Sequence, residues 1–189
     1  MSLFDRWSPR ENAQDRLWNL LGDHNTFMLV TKIATERPTP LRARPMAGYP
    51  RRDEQRIWFL AHKNGLKDDE IKANPRVCVT FSDPSKQHFV SISGKASVEH
   101  DLARKRDLWS VAAQAWFPDG PEDPSIILLC VEVNEAEFWD GDPNPIVVGF
   151  KMARAAAEGR KVNVGDNAKV SFARDSQSKP EPMAFTGGY

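Results

Sequence analysis

Six short strand-like runs constrain this chain most, five of them rich in β-branched and aromatic residues and one, 41–47, alternating apolar and basic residues. They lie at 26–31, 41–47, 57–61, 77–81, 89–98 and 126–133. Parallel strands need a crossover long enough to carry a full helix across the sheet, and the strands are too closely spaced for one except around 99 to 125. The other connections are too short or too full of turn residues. The expected fold is therefore mainly β with peripheral helices, an antiparallel six-stranded barrel in a single domain. Pro45 lies inside the second run and cannot donate to a ladder, so this strand is expected at an edge or a bulge. Residues 136–139 continue or flank the sixth strand.

The helices are read from caps and periodicity. Ser8 precedes Pro9, with Glu11 in capping-box position, which predicts a helix over 9–22 with Leu17, Trp18 and Leu21 as its apolar stripe. A short helix is expected from Leu66 to Ala73, closed by Asn74-Pro75. Another runs from an Asp101 cap to about Ala115, and an Ala-rich one covers 146–159 with Gly159 ending it. Residues 35–40 read as a turn. The domain is expected over 8–174, and the Ser-, Lys- and Pro-containing tail over 175–189 is expected to be disordered.

Composition excludes several classes. Acidic and basic residues balance at 26 each, which leaves no global footprint for nucleic acid or an anionic membrane. No apolar run approaches the ~18 residues of a membrane span, and the N-terminal residues show no secretory signal. Cys78 and Cys130 sit in strand-like runs and read as reduced core thiols. The four histidines are scattered, without metal spacing. A cytoplasmic protein is expected, with neither membrane nor nucleic acid as a partner.

Side-chain catalysis has no motif here: no nucleophile elbow, His-Glu-x-x-His or Walker loop is present. Asp68-Asp69-Glu70 read as solvated acids that complement the start of a helix. More informative is Ala115-Trp116-Phe117-Pro118-Asp119-Gly120-Pro121-Glu122-Asp123-Pro124, where two large aromatics sit on a Pro/Gly loop that cannot form regular structure. Such aromatics cover something flat or pack into a partner. Trp139 in Glu137-Phe138-Trp139 adds a third. Arg42 and Arg44 are two apart and share one strand face. Lys63 and Lys67 flank the Asn64-Gly65 turn that enters a helix. Cations and free N–H groups together make a serviceable phosphate site, although strand arginines and an Asn-Gly turn are equally read as exposed surface.

These segments resemble the flavin-binding split barrels of the pyridoxamine 5'-phosphate oxidase-like family, in particular its general-stress-protein branch. The resemblance runs over roughly residues 10 to 160. It is carried by Arg44-Pro45-Met46-Ala47, by residues 59–67, by Asn74-Pro75-Arg76-Val77, by Val90-Ser91-Ile92-Ser93-Gly94-Lys95-Ala96, by Asp101 through Trp109, by the run 115–124 and by Glu137-Phe138-Trp139. It implies a Greek-key split barrel and a homodimer with flavin at the subunit interface. It also implies FMN as cofactor, with FAD as the alternative. Arg42, Arg44, Lys63 and Lys67 would then face the phosphate. Backbone near Pro45, Met46, Leu60 and Ala61 would follow the ring edge, and Trp116, Phe117 and Trp139 would wall it. Two departures stand out. Ala61 and Gly65 replace the hydroxyl residues frequent in the family's phosphate turn. Asp140-Gly141-Asp142-Pro143-Asn144-Pro145 stands where the true oxidases carry an Arg-x-His-x-Arg segment, which argues against that activity. Three functions follow: an FMN-dependent oxidoreductase with a small-molecule redox partner, a flavin-storing or stress-sensing protein, and a haem-binding barrel using His62 or His88.

Overall fold

The computed structural model describes residues 12–33, 40–63, 66–161 and 165–172. Expectations for residues 8–11, for most of the 35–40 turn, for Asn64-Gly65 and for the tail lie outside the described residues.

Strands β1 (Thr26–Lys32), β2 (Leu41–Arg51), β3 (Arg56–His62), β4 (Arg76–Asp83), β5 (His88–Glu99) and β6 (Ile126–Gly141) form one antiparallel ring. The order is β3-β2-β1-β4-β5-β6, and β6 pairs back onto β3 to close it. Alternation decides the inside: Phe27 and Leu29, Val77 and Val79, Val90 and Ile92, and Ile127, Leu129 and Val131 all bury into one core. β3 and β6 are apolar on both faces because a second cluster lies outside them. Trp58, Leu60, Ile126 and Leu128 pack there against Leu108 and Ala113. The barrel's mainly β, antiparallel and six-stranded character is as its sequence predicts.

Local chemistry moves several boundaries. α1 (Ala13–Gly22) is capped by Asn12, not Ser8. Asn12 accepts from the Asp15 N–H at 2.9 Å, and Asp15 reaches back, completing a capping box four residues later than the Ser8–Glu11 pattern suggested. α1 buries Leu17, Leu20 and Leu21 as a plug in the core. The helix expected from 101 to 115 is two helices, α3 (Leu102–Leu108) and α4 (Val111–Trp116). Trp109 is extended between them, and Ser110 caps the second by accepting from the Ala113 N–H at 3.1 Å. α2 (Leu66–Ala73) lies against β1 and β5. α5 (Pro145–Ala157) starts with Asn144 as cap and Pro145 in its first turn.

β6 is one continuous strand of 16 residues. Its first half pairs with β3 and its second half with β7 (Gly165–Ser171), while β5 covers its other edge. β7 was not expected from the sequence: Gly165-Asp166-Asn167 and Lys169 dilute its apolar content. The signal was there in Ala168, Val170 and Phe172, which alternate, the last two buried. A register shift at Ser93/Gly94 bends β5 across β6. Gly94 is required there, because a Cβ would lie 2.4 Å from the Glu132 carbonyl oxygen. Cys130 is buried and Cys78 only half-buried, so the expectation of two core thiols holds for one of them.

Candidate functional site

The site begins where a ladder stops. β2 and β3 pair from Arg51↔Arg56 to Gly48↔Phe59 and then separate. Before Gly48, β2 has a partner only on its β1 side, through Thr26↔Ala47 to Lys32↔Leu41. Beyond Phe59, β3 has a partner only on its β6 side. The facing edges of residues 44–47 and 60–62 therefore carry no ladder with each other. Backbone N–H and C=O groups at such an edge are free for a ligand. Pro45 sits on this open edge, where its missing donor disturbs no second ladder.

A cavity of about 520 Å³ occupies the opening. One wall is β2, with Arg44, Pro45, Met46, Ala47 and Tyr49, and the opposite one is β3, with Leu60, Ala61 and His62. Asn25 and Thr26 contribute from the start of β1, and Ala112, Ala113, Trp116 and Phe117 from α4 and its end. This is the size and mixed lining of a small-molecule site. Phe117 is held by aromatic contacts, 5.0 Å from His62 and 6.1 Å from Trp109 between ring centroids. Trp116 projects from the rim and is 76% exposed.

The aromatic loop is anchored rather than loose. Gly120 takes φ +86°, the left-handed turn conformation that glycine allows. Asp123 accepts from both the N–H and the hydroxyl of Ser125 at 2.8 Å, bonds that hold its carboxyl below the ordinary range. Lys105 is buried, and its Nζ donates to the carbonyls of Asp123 and Ile126 at 3.1 Å each.

The charged corner differs from expectation. Asp68 and Glu70 are buried at 5% exposure each, and only Asp69 of that triplet faces solvent, so they are not a solvated helix start. α2 packs this side against β1, and Glu70 reaches the arginines of β2. Its Oε1 accepts from Arg44 Nη2 at 2.8 Å, its Oε2 from the Thr31 hydroxyl at 2.5 Å, and Arg42 Nη1 stands 3.7 Å away. Arg44 Nη1 donates to Thr31 Oγ1 at 2.7 Å. Burial opposes the Glu70 charge, yet the hydrogen bonds from Arg44 and Thr31 and the charges of Arg44 and Arg42 prevail, so its carboxyl is held below the ordinary value.

Of the sequence-predicted site residues, Arg44, Pro45, Met46, Leu60, Ala61, Trp116 and Phe117 line the one cavity. Arg42 lies beside it on the outer part of β2, paired with Glu70. Lys63 follows β3, with its N–H on the Ser125 carbonyl at 2.7 Å. Lys67 starts α2, and its side chain lies outside the described residues. Trp139 is on the far half of β6, opposite Phe89 and Asn167, away from this cavity. Thr31 and Glu70 were missed. A polar residue in an otherwise apolar strand and a third consecutive acid on a short helix were their signals.

A closed antiparallel barrel with an open strand edge, an arginine and an aromatic wall on one cavity defines a barrel of the split type with a cleft of small-molecule size. The chain belongs to the pyridoxamine 5'-phosphate oxidase-like family, whose model matches residues 12–163. It is similar to general stress protein 26 of Bacillus subtilis (strain 168), with 25% identity over 145 residues, covering 72% of this chain and 96% of that one. A candidate general stress protein 26 from Jannaschia sp. CCS1 has the same fold at TM-score 0.65 and 24% identity, over 82% of this chain and 95% of that one. The general stress FMN/FAD binding protein of Xanthomonas citri is 29% identical at TM-score 0.57, over 67% of this chain and 87% of that one. Among the described residues, no helix is long and apolar enough to cross a membrane and no cluster of His, Cys, Asp and Glu could hold a metal ion.

Proposed function

We propose that the cleft between β2 and β3 binds FMN and that the protein is a cytoplasmic flavin-dependent oxidoreductase of the general stress type. The observation that carries this reading is the convergence of two open strand edges, Arg44 and the Trp116–Phe117 wall on one cavity. The residues fit the cofactor. Backbone groups of Met46 and Ala61 suit the hydrogen-bonding edge of a flat ring, Phe117 suits its face, and Arg44 suits a phosphate. Once bound, the flavin would supply the electron transfer, and the protein its position and surroundings. The relative from Xanthomonas citri, named for FMN/FAD binding, supports the assignment.

The same cleft is proposed to be completed by a second copy of the chain. Trp116 and Val111 stand exposed at its rim, and Trp139, which its own chain leaves 40% exposed, would come from the partner. Activity on pyridoxamine phosphate is not proposed. The segment from Asp140 to Pro145 offers no Arg or His, and Asp140 itself is buried against Arg16 and His88.

One observation favours flavin storage or sensing without turnover. The described residues lining the cavity include no carboxylate, thiol or lysine to serve as a general acid or base. The deciding experiment is the visible spectrum of the purified protein before and after FMN, followed by NADH. Flavin peaks that co-elute with a dimer support binding, and bleaching that recovers in air supports turnover. Stable colour without bleaching favours storage. A protein that takes up no FMN refutes the proposal.

A further inference from the structure

Arg44 is anchored before any ligand arrives. Both of its terminal nitrogens are engaged, Nη2 by Glu70 at 2.8 Å and Nη1 by Thr31 at 2.7 Å. The two anchors are joined to each other, since the Thr31 hydroxyl donates to Glu70. Nε makes no hydrogen bond among the described residues, so the side edge of the guanidinium, Nε–H with the second Nη2 hydrogen, stays available. That edge has the fork geometry that suits two phosphate oxygens. Thr31 is 1% exposed and Glu70 is also buried, and neither lines the cavity. They reach a ligand only through Arg44.

We propose that Thr31 and Glu70 are positioning residues that hold Arg44 by its outer edge and present its side edge to the ligand's phosphate. This rests on the reading of the cleft as a flavin site. An unanchored arginine samples many rotamers, and ordering it on a ligand costs affinity. A guanidinium fixed by two bonds has already met that cost. Glu70 does not cancel the corner's charge, because Arg42 and Arg44 together outweigh one carboxylate. The depressed Glu70 carboxyl keeps the clamp charged at neutral pH.

The test uses FMN and riboflavin, which share the ring and differ in the phosphate. Thr31→Val keeps the side-chain shape and the net charge while removing the bridging hydroxyl. The expected result is an FMN Kd raised about tenfold, the scale of one charge-assisted hydrogen bond, with riboflavin affinity unchanged. Glu70→Gln should lower the FMN-to-riboflavin preference too, although it removes a negative charge. An unchanged preference in Thr31→Val overturns the clamp. So does an equal loss of both ligands, which would mean a structural role. A higher preference in Glu70→Gln overturns it as well, because Glu70 would then be a competing charge. If Arg44→Ala itself leaves the preference unchanged, the phosphate does not sit at this corner and the underlying reading falls with the clamp.

Discussion

Gly48 is the last rung of the β2–β3 ladder before the strands part. A Cβ added there would lie 2.5 Å from Phe27 Cδ2 and 2.9 Å from Phe59 Cε1. Neither ring can step aside. Both are essentially fully buried, and they meet edge to face at 6.4 Å between centroids. Gly48→Ala therefore forces overpacking, which costs about 1–3 kcal/mol. Stiffening of the unfolded chain returns about 0.4–1 kcal/mol, leaving a net loss of about 1–2 kcal/mol. Urea denaturation should show a midpoint lowered by about 0.5–1 M with an unchanged slope. Gly22→Ala is the matched control, since nothing lies within 4 Å of its added Cβ, and it should be neutral or stabilising. A Gly48→Ala midpoint at or above that of the parent protein would refute the argument that these two rings fix the mouth of the cleft.

Three further outcomes are expected. Lys105→Met removes the donor to the carbonyls of Asp123 in the aromatic loop and Ile126 at the start of β6 and should cost about 1–3 kcal/mol, with faster protease nicking near residues 117–125; unchanged nicking would show that the loop is held by other contacts. Glu70 holds its proton less tightly folded than unfolded, so its contribution to stability is present above the ordinary value of 4.5 and is lost as pH falls through the lower folded value. Acid titrations of stability should accordingly be flatter below pH 4.5 in Glu70→Gln, and parallel curves would contradict the buried pair. Burial pushes the Cys130 thiol up to about 11, so a thiol reagent at pH ~8 should modify half-buried Cys78 first and Cys130 only on unfolding; two equally fast thiols would show that the outer cluster over β3 and β6 opens.

What could be read in advance was local. Alternation in 77–81 and 89–98, with turns too short for crossovers, dictates antiparallel pairing, because side-chain direction in a strand depends only on position along that strand. The irregular stretch from Phe117 to Pro124 was equally legible, because Pro and Gly restrict their own backbone whatever surrounds them, but Trp116, expected on that loop, is the last residue of α4. Long-range choices were not. Asn12 won the cap of α1 from Ser8, and a helix start depends on where the following turns can pack. β7 exists because β3 ends halfway along β6 and leaves an edge to cover, a fact written in register rather than in the residues of β7.

The site divides the same way. Sequence alone determined which residues could serve: Arg44 on one strand, Leu60 and Ala61 on the next, and the adjacent aromatics Trp116 and Phe117 before a Pro/Gly-rich stretch. Tertiary structure decided which of them meet. The parting of β2 from β3 makes the cavity, and the seating of α2 against β1 takes Glu70 out of solvent and gives it to Arg44 and Thr31. A carboxylate's neighbours across 26 and 39 residues of chain are fixed by packing, and packing is a property of the whole barrel that no local pattern records.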